Sequence, residues 1–456
     1  MAKLPLVAII GRPNTGKSTL FNGLVRERIA IESAVAGTTR DHITRRVRAQ
    51  DMDYLLIDTG GMGGGTEDED FEDDVHAQSL LALEAADLIL FTVNAREEVT
   101  KSDLQVAELL RKRRRRHVPV LLVINKCDTP DVAESSRHSF HKLGLSENIL
   151  PVSAAHRIGF PELQASIAAH LKALHFTKAP DVERTPDAAT PRVAIVGKPN
   201  VGKSSLLNAL MSPEQRSVSP KLVSDVAGTT RDSTDTIVRH EEKEYIFVDT
   251  AGLRRPARIE EDLEGLAVLR SLQAIEEADV VLLVIDALEP VSQQDKRIAQ
   301  KIIEAGKGII LVINKIDLMK GEERIERTAE VRGNFLFCRY APILPLSAIE
   351  KQGVLKLFPL VNMVHENRLR RLETRDLRRF FEDAVLGKPM SSLATAKHIT
   401  QAADPPPTFV LFVRRPTDVQ ISQLRYLENR LRETFGLDGT PVKWILKRPS
   451  DRKDNS

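Results

Sequence analysis

The sequence predicts two doubly wound α/β domains, each a mostly parallel sheet with helices on both faces, followed by a small α+β domain. Five short blocks occur twice in the same order, at offsets of 186 to 194 residues. In each copy the blocks follow short apolar runs separated by longer amphipathic stretches, a pattern typical of buried parallel strands with covering helices. The end of the chain carries a different pattern.

The five repeated blocks indicate a duplicated domain. They are GRPNTGKS at Gly11 and GKPNVGKS at Gly197; AGTTRD at Ala36 and at Ala227; DTGG at Asp58 and DTAG at Asp249; NKCD at Asn125 and NKID at Asn314; and PVSA at Pro151 and PLSA at Pro345. Because the offset drifts by only a few residues, the repeat is a whole domain of about 170 to 190 residues and not a solenoid unit.

Apolar runs predict the strands of each copy. They are LVAII, DYLLID, LILFTV, VPVLLVIN and ILPVS in the first copy, and RVAIV, EYIFVD, VVLLVID, GIILVIN and APILPLS in the second. Amphipathic stretches such as Asp103 to Arg111 predict the covering helices. Ligands of a doubly wound sheet bind beyond the carboxyl ends of its strands, and the repeated blocks fall at those ends.

These patterns divide the chain into three domains. We place the first domain at 4–172, a proline-containing linker at 173–191, the second domain at 192–363, the third at 364–450 and a tail at 451–456. In the third domain the pattern predicts a basic amphipathic helix over 364–385, a strand ending at Val413, a helix with the stripe Leu424, Leu427 and Leu431, and a closing strand PVKWILK. A G-x-x-G from Gly436 to Gly439 favours a turn over an RNA-backbone clamp.

Composition narrows the functional classes. The chain has 456 residues, 42% of them hydrophobic and 29% charged, no apolar run long enough to cross a bilayer, and two cysteines, too few for a disulfide framework. No secretory signal is expected either, and we expect a cytoplasmic protein. The net charge is +2, but residues 355–456 carry 19 Lys and Arg against 12 Asp and Glu. This basic end fits a polyanion-binding module or an ordinary solvated face.

The first block of each copy is the pattern G-x-x-x-x-G-K-[ST], which binds a phosphate chain. The backbone N–H groups and the helix N-terminus face the oxygens, the lysine neutralises the β and γ phosphates, and the hydroxyl binds Mg²⁺. Lys17 and Ser18 take these roles in the first copy, and Lys203 and Ser204 in the second. The predicted contact residues are Gly11, Arg12, Pro13, Asn14, Thr15, Gly16, Lys17 and Ser18, and Gly197, Lys198, Pro199, Asn200, Val201, Gly202, Lys203 and Ser204.

The N-K-x-D blocks predict guanine as the base. An aspartate carboxylate can accept two hydrogen bonds from the N1–H and N2–H₂ edge of guanine, whereas adenine leaves the acceptor unmet. Asp128 and Asp317 should therefore select GTP. The predicted supporting groups are the bracing amides of Asn125 and Asn314, the stems of Lys126 and Lys315 over the base, Cys127 and Ile316 within the same loops, and the N–H groups of Ser153, Ala154, Ser347 and Ala348 toward the guanine carbonyl.

The remaining two blocks suit a nucleotide-dependent switch. Asp58 and Asp249 are placed to hold Mg²⁺ through water, the N–H groups of Gly61 and Gly252 can bind the γ phosphate, and Thr39 and Thr230 can complete the Mg²⁺ shell. The flanking contact residues are Thr59, Gly60 and Met62, and Thr250, Ala251 and Leu253. A simple capping turn is the alternative for GTTRD.

The ordered set of blocks resembles small GTPases of the translation-factor-related class. Two such sets in tandem, followed by a basic domain with PPTFVLFV and RYLENRLRETFG, resemble the Der (EngA) family of bacterial double GTPases of large-ribosomal-subunit assembly. The resemblance covers about residues 4 to 448. The chain departs from the family pattern at Asn94, where Asp is usual, at Arg378, where Asn is usual, and in the glycine run at 63–65.

The resemblance implies further properties. They are a KH-like third domain, GTP hydrolysis in both P-loop domains, nucleotide-dependent contact with ribosomal RNA, and activation by K⁺ through Asn14 and Asn200. Met62 and Leu253 stand where many GTPases have a water-orienting glutamine, so a bound cation could supply the missing charge.

Three functional hypotheses follow. The first is a cytoplasmic, monomeric GTPase that docks on the large ribosomal subunit and its rRNA, with no membrane or DNA partner. The second is a nucleotide-gated RNA- or ribosome-binding scaffold in which one P-loop domain binds GTP but hardly hydrolyses it. The third, an ATP-using kinase or helicase, lacks an acceptor-site motif and conflicts with Asp128 and Asp317.

Overall fold

The computed structural model describes residues 4–26, 44–49, 51–59, 83, 85–114, 118–145, 149–176, 190–211, 235–250, 264–386, 396–402 and 405–448. No helix within these ranges is long and apolar enough to cross a membrane. The chain forms two compact units, one built around the first sheet and the other around the second and third sheets.

The first sheet has six strands in the order β2-β3-β1-β4-β5-β6. They are β1 Leu6–Ile10, β2 Thr44–Arg48, β3 Asp53–Asp58, β4 Leu88–Asn94, β5 Val120–Asn125 and β6 Ile149–Pro151. All neighbours are parallel except β2, which is antiparallel to β3 at the edge. The helices are α1 Lys17–Arg26, α2 Lys101–Arg113, α3 Pro130–Phe140 and α4 Phe160–Ala173.

The two faces of this sheet are covered by different helices. Val7 and Ile9 of β1 pack in one buried cluster with residues of α1 and α4. The alternate residues Ala8 and Ile10 pack in a second cluster with α2 and α3. Because successive side chains of a strand point to opposite faces, a continuous apolar run is what a doubly covered strand requires.

The second sheet repeats this architecture. Its strands are β7 Arg192–Val196, β8 Thr236–His240, β9 Lys243–Phe247, β10 Val280–Asp286, β11 Gly308–Asn314 and β12 Ile343–Pro345, in the equivalent order β8-β9-β7-β10-β11-β12. The helices are α5 Lys203–Leu210, α6 Glu264–Glu277, α7 Gln293–Glu304, α8 Gly321–Asn334 and α9 Leu357–Leu369. The predicted pair of mostly parallel α/β sheets is therefore confirmed.

The third domain is a small α+β unit. Its strands are β13 Ala396–Gln401, β14 Thr408–Val413 and β15 Lys443–Lys447, and its helices are α10 Thr374–Leu386 and α11 Ile421–Phe435. β13 is antiparallel and β15 parallel to the central β14. Phe380, Phe409, Leu427 and Trp444 belong to its buried core.

The helix predicted over 364–385 is wrong in one respect, because the structure divides it. Helix α9 ends at Leu369, and α10 begins at Thr374. α9 belongs to the core of the second domain, where Val361 and Val364 are buried, and it runs across the predicted boundary between residues 363 and 364. The amphipathic pattern continued through the break, so periodicity alone could not locate it.

The third domain is bonded to the second through the turn after α11. Gly436 ends that helix in the left-handed conformation. Gly439 donates its N–H to the carbonyl of Tyr340 at 2.7 Å and accepts from the N–H of Ile309 at 2.7 Å. The Arg432 guanidinium lies 3.8 Å from the centre of the Tyr340 ring. The G-x-x-G segment is therefore a turn that holds two domains together.

Candidate nucleotide-binding sites

Both P-loops lie at the carboxyl edges of their sheets, as the sequence predicts. The first follows β1 and leads into α1 at Lys17, and the second follows β7 and leads into α5 at Lys203. In both loops the asparagine and the last glycine have positive φ, Asn14 at 64° and Gly16 at 86°, and Asn200 at 61° and Gly202 at 94°; Gly197, at 147°, is a third such residue in the second loop. Glycine tolerates this conformation without strain, and asparagine tolerates it better than most residues.

The last glycine of each loop is required by packing as well. A Cβ atom at Gly16 would lie 2.3 Å from Nδ2 of Asn125, and one at Gly202 would lie 2.2 Å from Nδ2 of Asn314. The asparagine of the N-K-x-D block is thus in direct contact with the P-loop. Two blocks about 110 residues apart in sequence form one site in each domain.

The P-loop lysines are held over their own loops. Nζ of Lys17 donates to the carbonyls of Gly11 at 2.8 Å and Arg12 at 2.9 Å. Nζ of Lys203 donates to the equivalent carbonyls of Gly197 at 3.0 Å and Lys198 at 2.6 Å. Burial lowers the pKa of Lys17, and the nearby Asp58 carboxylate opposes that shift. A phosphate group beside Lys17 would favour its charged form.

Asn125 and Asn314 each bond to the P-loop of their domain, and their contact with a base stays a prediction. Nδ2 of Asn125 donates to the carbonyl of Thr15 at 2.9 Å, while its Oδ1 accepts from the N–H of Ala154 at 3.0 Å. Nδ2 of Asn314 donates to Val201 at 2.9 Å, and Oδ1 accepts from Ala348 at 3.0 Å. Each buried amide therefore connects the P-loop with the S-A loop.

The two aspartates that the sequence predicts to select the base have different contacts. Oδ1 of Asp128 accepts a hydrogen bond from Oγ of Ser153 at 2.7 Å, and Oδ2 pairs with the guanidinium of Arg96. The Ser153 hydrogen bond, followed by that of Arg96, lowers the pKa of Asp128. In the second site, Oδ1 of Asp317 is buried, and no donor among the described residues reaches it.

The lysines of the N-K-x-D blocks also differ. Both have left-handed backbones, with φ of 68° at Lys126 and 70° at Lys315. Nζ of Lys126 donates to the carbonyl of Asn14 at 2.9 Å, whereas Nζ of Lys315 pairs with the carboxylate of Asp286. Asp286 of the second domain occupies the position that the uncharged Asn94 occupies in the first. That their stems cover a base stays a prediction.

The S-A loops lie beside these residues, but their N–H groups have partners within the protein. The N–H of Ser153 donates to Ile158 at 3.0 Å, and that of Ser347 donates to Gln352 at 3.0 Å. The N–H groups of Ala154 and Ala348 donate to the bracing asparagines, as described above. Cys127 and Ile316 are buried. Contact of these N–H groups with a guanine carbonyl stays a prediction.

Oxygen groups suited to Mg²⁺ lie at the carboxyl edge of each sheet. Asp58 ends β3 and pairs in register with Ile9 of β1, directly before the loop that carries Ser18. Asp249 follows β9 with a left-handed φ of 48°, and its N–H donates to the Asp235 carboxylate at 3.2 Å. A hydroxyl and a carboxylate are hard oxygen donors, so the residues present fit Mg²⁺.

The threonines next to these aspartates anchor the two loops differently. Oγ1 of Thr59 donates to the carbonyl of Ile9 at 2.8 Å. Oγ1 of Thr250 shares a hydrogen bond of 2.6 Å with Oγ1 of Thr236. Several predicted switch residues lie outside the described residues, namely Thr39, Gly60, Gly61, Met62, Thr230, Ala251, Gly252 and Leu253.

Sequence reasoning missed an ion-pair cluster that fastens each P-loop. Arg12 pairs with Glu97 and, at 3.1 Å, with Asp103, which also caps α2. In the second domain Lys198 lies 2.8 Å from Glu289 and 3.6 Å from Asp295, which completes the capping box of α7 with Ser292. Glu289 and Asp295 follow Glu97 and Asp103 at the same sequence offset. This repeated spacing of two acidic residues could have revealed the ion-pair cluster from the sequence.

Comparisons with known proteins agree with this architecture. A family model described as "50S ribosome-binding GTPase" matches residues 6–126 and 192–315, and one described as "KH-domain-like of EngA bacterial GTPase enzymes, C-terminal" matches residues 371–447. The chain is 42% identical to GTPase Der of Geobacillus kaustophilus over 451 residues, covering 98% of this chain and 99% of that protein. It is 41% identical to GTPase Der of Listeria welshimeri over 455 residues, covering 98% and 100%.

Among solved structures, the chain is similar to Era of Aquifex aeolicus bound to GDP and AlF₄⁻. The sequence identity is 26%, and the match covers 57% of this chain and 93% of that one. Its TM-score of 0.29 is too low to support a structural inference.

Proposed function

Because this chain belongs to the Der family of GTPases, we propose that it acts in the cytoplasm in assembly of the large ribosomal subunit, docking on rRNA in a nucleotide-gated manner. The chain is a GTP-binding enzyme that hydrolyses GTP to GDP and phosphate. The description of the matched family model, a 50S ribosome-binding GTPase, supports the choice of the large subunit.

The observation that carries the choice of guanine is the unpartnered acceptor in the second site. Oδ1 of Asp317 is buried without a hydrogen-bond donor from the described residues. An unmet buried acceptor is unfavourable, and an N–H group of guanine that reaches Oδ1 would supply the missing donor. We assign Asp128 the same role in the first site.

The remaining site residues take the following proposed roles. Lys17 and Lys203 hold the β and γ phosphates and stabilise the charge that develops during transfer. Mg²⁺, when bound by Ser18 and Asp58 or by Ser204 and Asp249, would neutralise phosphate charge. The N–H groups of Gly61 and Gly252 would bind the γ phosphate, and Thr39 and Thr230 would complete the switch. We propose K⁺ activation through Asn14 and Asn200, which are exposed residues with left-handed backbones.

Nucleotide gating has a physical route in the second domain. The G-x-x-G turn of the third domain is bonded to Ile309, at the start of β11, and to Tyr340. β11 ends at Asn314, which braces the second P-loop. Strand β11 therefore joins the nucleotide site to the basic third domain, and a rearrangement around the nucleotide can reach that domain through it.

The docking proposal is tested by sedimenting the protein with 50S particles in GTP, in GDP and without nucleotide, over a salt series. We expect binding to depend on the nucleotide and to weaken as salt rises, because contact with a polyanion releases counterions. Binding that is indifferent to nucleotide would contradict gated docking.

The scaffold hypothesis keeps one specific observation in its favour. Asp58 continues its strand, whereas Asp249 is left-handed and bonded to Asp235, so the two domains differ at the Mg²⁺ aspartate. Lys17→Ala and Lys203→Ala separate the hypotheses. If only one substitution lowers hydrolysis while both abolish ribosome association, the silent domain is a binding scaffold.

A further inference from the structure

The carboxylate of Asp128 is fully engaged within the first site. One oxygen accepts from Ser153 at 2.7 Å, and the other pairs with Arg96. Nε2 of His156 lies 3.9 Å from Oδ1. The side chain of Arg96 is 65% exposed and that of Asp128 is 25% exposed, so the pair lies at the solvent edge of the site. Both oxygens that guanine requires already have donors.

The position of Arg96 is set by the end of strand β4. Its N–H donates to Oδ1 of Asn94 at 3.2 Å. Glu97, the next acid in the chain, is engaged by Arg12 and by the side chain of Asn94. Asp128 is consequently the carboxylate with which Arg96 pairs.

The second site has no such donor at the equivalent position. Asn94 pairs in register with Asn125, and Asp286 pairs in register with Asn314. Two residues further on, Arg96 in the first domain corresponds to Leu288 in the second. Leu288 is 57% exposed and its side chain cannot donate a hydrogen bond.

The serine of the S-A loop differs as well. Each serine hydroxyl accepts from the N–H three residues further on, that of His156 at 3.4 Å and that of Glu350 at 3.1 Å, but Oγ of Ser153 also donates to Asp128. Both differences leave Oδ1 of Asp317 without a donor from the described part of the chain.

We infer that Arg96 is a specificity-determining residue that lowers the guanine affinity of the first site by competing for Asp128. Guanine must displace Arg96 from Asp128, whereas at Asp317 it satisfies an acceptor that lacks a partner. This competition weakens guanine binding at the first site only. The inference rests on the proposed function, in which Asp128 and Asp317 bind the base.

Calorimetric titration of the full-length chain with GDP tests the inference. Lys203→Ala is the background for reading the first site, and Lys17→Ala is the background for reading the second. Arg96→Leu, which copies the second site, should tighten GDP binding at the first site by about two- to fivefold, the range that exposed ion pairs correspond to. The reciprocal Leu288→Arg should weaken GDP binding at the second site by a similar factor.

Two further readouts exclude a merely structural effect of the substitution. The gap between Arg96→Leu and its parent should narrow between about 0.05 M and about 0.5 M salt, because salt screens the exposed ion pair. The preference for GDP over inosine diphosphate, which lacks the N2 amino group, should rise in the variant. Arg96→Lys keeps a charge and should remain near the parent in both measurements.

The outcomes separate the inference from the function on which it rests. GDP affinity that is unchanged or weaker in Arg96→Leu overturns the inference, and so does a Leu288→Arg variant that binds GDP normally. Asp128→Asn tests the base assignment itself, since an amide should exchange GDP for xanthosine diphosphate. If this exchange fails, the assignment of Asp128 fails; if it succeeds while Arg96→Leu has no effect, only the role of Arg96 is lost.

Discussion

Replacing Gly439 by alanine should weaken the junction between the second and third domains. Gly439 has a left-handed φ of 75°, and a Cβ there would lie 2.2 Å from Cγ2 of Val364 and 3.0 Å from its Cγ1. Val364 is fully buried in the second domain. The N–H and C=O of Gly439 both form hydrogen bonds with that domain. The backbone therefore cannot move away from Val364 without breaking these hydrogen bonds.

Two costs add at this position. An alanine at positive φ lowers the free energy of unfolding by about 1 to 2 kcal/mol. Overlap with a packed, β-branched side chain adds about 1 to 3 kcal/mol. Gly436 is the matched control, because its φ is 63° and no atom lies within 4 Å of its added Cβ. Gly436→Ala should therefore show the first cost alone.

The assay is urea unfolding followed by tryptophan fluorescence. The chain has one tryptophan, and Trp444 is 8% exposed in β15 of the third domain. Its transition should move to lower urea in both variants, and clearly further in Gly439→Ala. Val364→Ala should destabilise the parent but cost less in the Gly439→Ala background, because the overlap is then relieved.

Equal shifts for the two glycine variants would refute the steric argument. A strictly additive Val364→Ala and Gly439→Ala pair would also refute it, since contact between the two side chains is its premise.

Four further outcomes are expected. Arg368→Ala should cost about 3 to 5 kcal/mol of unfolding free energy in the same titration, because it removes the guanidinium that lies 3.3 Å from the buried carboxylate of Asp279 and leaves its charge to neutral donors such as the N–H of Arg192. A loss near zero would contradict the pairing. Asn314→Ala should lower the free energy of unfolding by about 2 to 4 kcal/mol and weaken GDP binding at the second site, because it leaves two buried backbone groups unpaired. An unchanged GDP affinity in calorimetry would refute the bracing role. Burial raises the pKa of Cys338 to about 12, so at about pH 8 this thiol should react with iodoacetamide only after urea is added. Labelling of Cys338 in the native protein, detected by mass spectrometry, would contradict this expectation. GTP hydrolysis, followed by phosphate release, should be faster in K⁺ than in Na⁺, and equal rates would remove the K⁺ ligands from the proposal.

The sequence predicted the buried strands well because burial on both faces leaves a continuous apolar run. It missed the edge strands β2 and β8, whose sequences are TRRVR and TIVRH. β8 alternates buried and exposed residues, so it lacks the continuous apolar run from which the opposite edge strands β6 and β12 were predicted. β13, AKHITQ, was missed for the same reason.

The sequence also placed the P-loops and the N-K-x-D asparagines on one edge of each sheet. It could do so because these motifs follow parallel strands directly, and parallel strands end at a common edge. It could not show that the ammonium groups of the P-loop lysines donate hydrogen bonds to carbonyls of their own loops, because that geometry depends on the local backbone.

By itself, the sequence determined the duplication, the strand pattern and the residue types at each nucleotide site, because all three are written in local order and spacing. Only the tertiary structure decided which carboxylates already have partners. Arg96 meets Asp128 across 32 residues, and Gly439 meets Ile309 across the domain junction. Such contacts depend on how separate segments pack, and no local pattern carries that information.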